Sequence, residues 1–171
     1  MEIRQIQPDD LSSLGGLYEA AFPAEELWPL VSELHAGAFD KASLVATEHG
    51  EIIAHVCFTL AHVPHDSRRV ALLGPLAVAP GQQRQGVGSA IVRAGLEEMR
   101  AAGVARVLAL GDPAYYGRFG FRPENAVETP CPIPTEWAEA WQSLALEETG
   151  APPRGRLDVP APWLDPALWA P

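Results

Sequence analysis

The sequence predicts an α/β fold of mixed character: a central mixed sheet, antiparallel at first and parallel later, flanked by helices on both faces. Three observations carry this expectation. Residues 70–78 are an almost unbroken apolar run, the pattern of a strand buried on both faces. Gly88, Ile91, Val92, Gly95, Leu96 and Met99 then recur at helical spacing. A second apolar run at 104–110 completes a strand–helix–strand unit, whose parallel crossover is expected to be right-handed.

The earlier elements follow from periodicity. Ile3 and Ile6 belong to a short first strand. Asp9 or Asp10 is expected to cap a helix that carries Leu11, Leu14, Tyr18 and Ala21 on one stripe and ends at Pro23. Leu27, Leu30, Val31 and Leu34 share one face of a second helix, which stops at Gly37. Two strands at 44–47 and 52–60 joined by a tight turn at His49-Gly50 make a hairpin. Gly103 closes the long helix, and a short helix is expected near 113–118.

Beyond Arg122 the composition changes. The last stretch holds ten of the 17 prolines and four of the 5 tryptophans: Trp137, Trp141, Trp163 and Trp169. Trp137, Trp141 and Leu144 fit one helical stripe suited to core packing, and the pair Glu147-Glu148 reads as a solvated face. The chain therefore divides into a core at 1–122 and a Pro/Trp-rich extension at 123–171, expected to pack on the same domain because exposed tryptophan clusters are costly. Internal repeats and low-complexity tracts are absent.

Composition excludes several functions. The 171 residues carry 12 Lys+Arg against 22 Asp+Glu, a net charge of −10, which argues against nucleic acid as a partner. Apolar runs are too short to span a bilayer, and the N-terminus lacks a signal-peptide core, so a cytoplasmic protein without membrane attachment is expected. Cys57 and Cys131 form neither a disulfide framework nor a zinc pair. His55, His62 and His65 are not spaced to converge on a metal, and no metal is expected. Glu25 and Glu26 suit a helix N-terminus better than an amine pocket.

Chemistry concentrates in two segments. In the first, Leu76-Ala77-Val78 ends a buried strand, and Gln83-Arg84-Gln85-Gly86-Val87-Gly88-Ser89 opens the long helix. Amides at a helix start and the helix dipole make an anion site, and glycines let backbone approach a bulky diphosphate. A P-loop is excluded because no Gly-Lys-Ser/Thr follows. A Rossmann fingerprint needs a third glycine where Ile91 stands and an acid near Arg106. A pyrophosphate loop for coenzyme A remains, beside a purely structural turn. The second segment, Gly111-Asp112-Pro113-Ala114-Tyr115-Tyr116-Gly117-Arg118-Phe119-Gly120-Phe121, follows the next buried strand. Open α/β sheets bind ligands at the C-terminal ends of neighbouring parallel strands. Either tyrosine could instead be packed inward.

Taken together, in this order and spacing, the two segments resemble the GNAT-type N-acetyltransferases, and Leu73-Gly74-Pro75-Leu76-Ala77-Val78 with Gly111-Asp112-Pro113-Ala114-Tyr115-Tyr116 is similar to a bacterial subgroup of predicted N-acetyltransferases. The resemblance covers 1–121 and implies a GNAT-like acyl-CoA N-acyltransferase fold. It implies acetyl-CoA as cosubstrate, held by Leu76, Ala77, Val78, Gln83, Arg84, Gln85, Gly86, Val87, Gly88 and Ser89. It also implies transfer of the acetyl group to a primary amine of a small molecule or peptide, with Tyr116 as general acid for the departing thiolate. A homodimer is compatible with it. Many relatives place a Glu on the central strand, but 70–78 holds no acid, and Glu51, His55, His62 and His65 are the nearest candidates for a base. A coenzyme A-binding sensor without activity is the alternative.

Overall fold

A computed structural model describes residues 1–147 and 150–170; Glu148, half of the acidic pair, lies outside them. The elements run β1 (Glu2–Gln5), α1 (Leu11–Ala21), α2 (Trp28–Ala36), β2 (Lys41–Glu48), β3 (Glu51–Ala61), β4 (Val70–Val78), α3 (Val87–Ala101), β5 (Arg106–Leu110), α4 (Pro113–Tyr116), β6 (Arg122–Pro123), β7 (Val127–Glu128), β8 (Trp141–Ala145) and β9 (Gly155–Arg156). Seven strands form one sheet in the order β1-β2-β3-β4-β5-β8-β6, and β7 and β9 pair separately. The expected α/β class with a mixed sheet and flanking helices is what the chain adopts. None of its helices is long and apolar enough to cross a membrane, among the described residues.

Two compact units divide the chain: Met1–Phe58 with Gly74–Glu98, and Thr59–Leu73 with Met99–Pro171. In the first, β1 runs antiparallel to β2, with Glu2 opposite Thr47 and Gln5 opposite Leu44. His49 and Gly50 have φ of 52° and 80°, the pair of left-handed residues that a two-residue hairpin turn requires. Leu14, Leu17 and Tyr18 of α1 and Val31 of α2 pack with Val45 and Ala77 in a buried core. The expected cap at the start of α1 does not form. Asp10 instead accepts the amide of Gln7 at 2.6 Å and both guanidinium nitrogens of Arg4 at 2.7 and 3.0 Å, so the ion pair takes the oxygens a cap would have used. Helix α3 meets Phe58 at Gly95, where a Cβ would overlap the ring.

In the second unit, β4 and β5 are parallel, with Val70 opposite Arg106 and Leu72 opposite Leu108. The last turn of α3 closes as a Schellman motif: Gly103 has φ 77°, its amide reaches Arg100 O at 3.1 Å, and Val104 N reaches Met99 O at 3.0 Å. The helical stripe expected at Trp137, Trp141 and Leu144 is not there. Residues 141–145 are strand β8, antiparallel to β5 from Leu110 opposite Trp141 to Arg106 opposite Ala145, and Trp137 sits in a 3-10 turn at Thr135–Ala140. The open edge of β5 outweighs local helical spacing, a tertiary override of propensity. Trp141, Trp163 and Trp169 are buried. Their indole N–H groups donate to Val127 O at 2.7 Å, Thr59 Oγ1 at 3.1 Å and Trp163 O at 2.8 Å.

The contact at Gly95 yields a stability prediction. Gly95→Ala gains helix propensity but drives a methyl into Phe58, so a net loss of about 1–3 kcal/mol is expected in urea denaturation. A variant as stable as the parent would mean that Phe58 has room to move.

Candidate functional site

The loop after β4 is built from the strand outward. Ala77 is buried in the core of the first unit, whereas Leu76 and Val78 point to the other face and are half-buried. The strand ends where Ala79 N donates to Ile53 O at 2.8 Å. A 3-10 turn at Pro80–Gln82 follows. Two glutamines then brace the loop: Gln83 Nε2 donates to Val78 O and Gln85 Nε2 to Gly81 O, each at 3.1 Å. Arg84 and Gly86 both adopt left-handed backbone, with φ of 62° and 83°. A Cβ on Gly86 would meet nothing within 4 Å, so conformation rather than space calls for glycine there. Gly86 O accepts the amide of Ala90 at 3.0 Å and thereby starts α3. The preceding amides, those of Val87 and Gly88, have no intrahelical carbonyl to reach, and the helix dipole lies behind them. Gln83, Arg84, Gln85 and Gly86 are exposed, while Gly88 and Ser89 are half-buried and Val87 is buried. Exposed, left-handed backbone thus runs into a helix start, with Arg84 as the basic residue of the loop.

The tyrosine segment belongs to the second unit. Asp112 caps α4 through Oδ1, which accepts Ala114 N at 2.9 Å, while its carbonyl accepts the amides of Tyr115 and Tyr116 at 3.1 and 3.0 Å. Tyr115 is half-buried with the Arg118 guanidinium over its ring at 4.5 Å. Tyr116 is buried, edge-on to Tyr115 and Phe121 at centroid distances of 5.1 and 5.4 Å. Burial, with a smaller contribution from Tyr115, raises the Tyr116 phenol above the ordinary tyrosine value. The phenol is thus held protonated at neutral pH more firmly than an exposed one.

Glu51 and His65 are exposed, and His62 Nε2 lies 3.1 Å from Asp158. His55 is fully buried in a hydrogen-bonded row that the sequence did not announce. His35 Nδ1 lies 2.7 Å from Val31 O, His35 Nε2 2.8 Å from Ser43 Oγ, Ser43 Oγ 2.7 Å from His55 Nε2, and His55 Nδ1 2.7 Å from the Tyr18 hydroxyl. A carbonyl can only accept, so His35 must donate from Nδ1. With both rings neutral, Ser43 then donates to His35, His55 Nε2 donates to Ser43, and Tyr18 donates to His55. Both ring nitrogens of His55 are engaged, Nδ1 as acceptor from Tyr18 and Nε2 as donor to Ser43, so no lone pair is left to take a substrate amine's proton, which removes His55 as a base. Ser43 and His35 offered no sequence signal beyond being polar residues in apolar surroundings.

This row makes stability depend on pH. Burial first, and His35 second, push His55 down to about 3. An unfolded histidine protonates near 6.5, so the contribution is complete above that value and is lost as pH falls from 6.5 towards 3. In that window each pH unit costs up to about 1.4 kcal/mol from this group. His55→Gln, which does not titrate, should flatten the decline of the urea midpoint between pH 6.5 and 4. An unchanged slope would assign the acid sensitivity elsewhere.

A cavity of about 620 Å³ in the second unit is lined by Arg106, Arg122, Glu124 and Ser143 among others. Its polar groups largely satisfy one another: Glu124 accepts from Ser143 at 2.6 Å, from the amides of Ala126 and Val127, and from Arg106 at 3.3 Å. Burial raises the Glu124 carboxyl, but these hydrogen bonds and Arg106 outweigh it and leave the carboxyl below its usual value. Among the described residues no cluster of His, Cys, Asp and Glu could hold a metal ion.

Comparison with known proteins agrees with the two segments. The family model described as Acetyltransferase (GNAT) family matches residues 3–121. An uncharacterized N-acetyltransferase of Escherichia coli strain K12, YjhQ, is 38% identical over 109 residues, covering 61% of this chain and 60% of YjhQ. A second, YhbS of the same strain, is 34% identical over 122 residues, 71% of this chain and 73% of YhbS. The crystal structure of E. coli YhbS in complex with CoA superposes with a TM-score of 0.84, covering 94% of this chain and 90% of that one at 29% identity. A GNAT family acetyltransferase from Brucella melitensis in complex with acetyl-CoA gives 0.76, covering 94% and 96% at 30% identity. With its helix-start loop and tyrosine segment inside the matched region, the chain belongs to the acetyltransferase (GNAT) family.

Proposed function

We propose that this protein transfers the acetyl group of acetyl-CoA to a primary amine by direct attack of the amine on the thioester. The observation that carries the reading is the start of α3, where left-handed Arg84 and Gly86 precede amides with no intrahelical acceptor. A diphosphate fits this cradle: Gln85, Gly86, Val87, Gly88 and Ser89 would hold it, Gln83 would brace the loop, and Arg84 would supply charge. Main-chain groups of Leu76, Ala77 and Val78 would hold the pantetheine arm, as the family resemblance suggests. Acetyl-CoA supplies the activated acetyl thioester. CoA and acetyl-CoA bound to the two solved relatives support the same cosubstrate.

Tyr116 is assigned as the hydrogen-bond donor to the departing sulfur. A thiol has an ordinary pKa near 8.5, below that of a tyrosine phenol, so complete transfer from Tyr116 is uphill. The raised phenol therefore acts chiefly by stabilising developing negative charge, and the thiolate picks up its proton as it leaves the site. The absence of an acid in β4 and the burial of His55 favour a second reading, a CoA-binding module without turnover. Thiol release from acetyl-CoA against a panel of amines separates the two, since only the enzyme releases thiol in proportion to amine.

Two substitutions test the parts. Asn tolerates left-handed backbone, so Gly86→Asn should keep the loop and place a side chain in the path of the diphosphate. CoA affinity by calorimetry is expected to fall about tenfold or more, equivalent to about 1.4 kcal/mol, and unchanged affinity would remove the diphosphate from this loop. Tyr116→Phe keeps the packed ring and should lower kcat by about tenfold or more at unchanged acetyl-CoA affinity, the sign of an interaction made in the transition state. Tyr115→Phe should leave turnover close to the parent. Turnover that survives both changes would assign the donor role to water or another group.

A further inference from the structure

The C-terminal extension grips the tyrosine segment at Gly111. A Cβ on Gly111 would lie 2.5 Å from Cε2 and 3.1 Å from Cδ2 of the Tyr116 ring, so the ring occupies the space that any other residue at 111 would fill. Gly111 is itself held on both sides by the extension. Its amide donates to Ala140 O at 2.9 Å, and its carbonyl accepts Gln142 Nε2 at 3.0 Å. The same Nε2 also donates to Ala140 O at 3.2 Å, so one amide nitrogen joins both carbonyls. Gln142 is 1% exposed near the start of β8, opposite Ala109. A polar side chain buried so completely in a strand carries a desolvation cost that only its hydrogen bonds offset.

We propose that Gln142 is a positioning residue for Tyr116: it clamps Gly111 to the C-terminal extension, and the clamped glycine forms the slot that sets the direction of the phenol. The inference rests on the assignment of Tyr116 as the donor to the departing sulfur. It gives 123–171 a part in the reaction through the seat of the Tyr116 ring. α4 is a single turn, and its own hydrogen bonds to Asp112 fix the backbone but not the ring. The ring is held between Tyr115, Phe119 and Phe121 on its other sides and Gly111 behind it, and Gly111 is the member of that seat tied to the extension.

Two variants of the full chain test this. Gln142→Met keeps the length and volume and removes the donor. Gly111→Ala leaves Gln142 in place and fills the slot. Both are followed by the 13Cζ resonance of Tyr116, which is readily assigned among 3 tyrosines, and by steady-state kinetics. A shifted Tyr116 resonance is expected in both, with kcat lowered about fivefold or more at unchanged KM for acetyl-CoA, as loss of alignment requires. On a Tyr116→Phe background, Gln142→Met should lower kcat no further. An unshifted resonance in both variants, or a loss of kcat that persists in full on the Tyr116→Phe background, overturns the proposal. If Gln142→Met does not fold, Gln142→Asn, which keeps the amide but shortens its reach to Gly111 O, decides by the same resonance. If Tyr116→Phe leaves turnover intact, it is the donor role that fails, and the resonance still decides whether Gln142 and Gly111 seat the ring.

Discussion

Strand β5 is five residues long and flanked on both edges, and that constraint shapes the second unit. Its middle residues Val107, Leu108 and Ala109 are fully buried, so an open edge would leave main-chain groups without water or partner. The parallel start of β4 satisfies one edge, and β8 returns from far along the chain to satisfy the other. The proline-rich course of the extension, its 3-10 turns and its packed indoles are the means by which that return is made. Each buried indole finds a carbonyl or hydroxyl for its N–H, which lets three tryptophans serve as core.

The first unit meets a different demand. Tyr18, His35, Ser43 and His55 bring polar atoms into the ground between α1, α2, β2 and β3, and every link in their row is 2.7 or 2.8 Å long. A net gain of about 0.5–1.5 kcal/mol per hydrogen bond is modest, whereas one orphaned partner costs about 1–3 kcal/mol. The row therefore matters less for what it adds than for what any gap in it would cost. It selects one arrangement of two helices over two strands, a specificity that an all-apolar contact would not impose.

Much of this architecture was legible in the residues. The hairpin followed from His49-Gly50, the buried strand from the apolar run of β4, and the Schellman end of α3 from Gly103, because each depends on local geometry. The turn that opens α3 was legible for the same reason: glycine spacing after a buried strand is a local signal. What escaped was decided at a distance. The spacing of Trp137, Trp141 and Leu144 suits a helix and says nothing of the edge on β5 that makes 141–145 a strand. A cap at Asp9 or Asp10 is a local expectation, and it does not show that Arg4, six positions from Asp10, competes for the carboxylate oxygens. His55 is among the nearest candidates for a base, and a sequence does not show that Ser43 and Tyr18 use both its ring nitrogens. The raised phenol of Tyr116 depends on burial that only the packed segment produces.

The row from Tyr18 to Val31 O also has a direction, and direction ties its members into a single heritable unit. His35, Ser43 and His55 each accept on one side and donate on the other, and Tyr18 heads the row as a donor, so a change at position 35 alters what positions 43, 55 and 18 are required to supply. A drift of one member toward an apolar side chain strands its neighbours, and a drift toward a pure donor reverses them. Among kin proteins that keep this helix pair, these four positions are expected to change as a block or not at all. Where the block has been exchanged for apolar residues, α1 and α2 should be found at a different angle on the sheet.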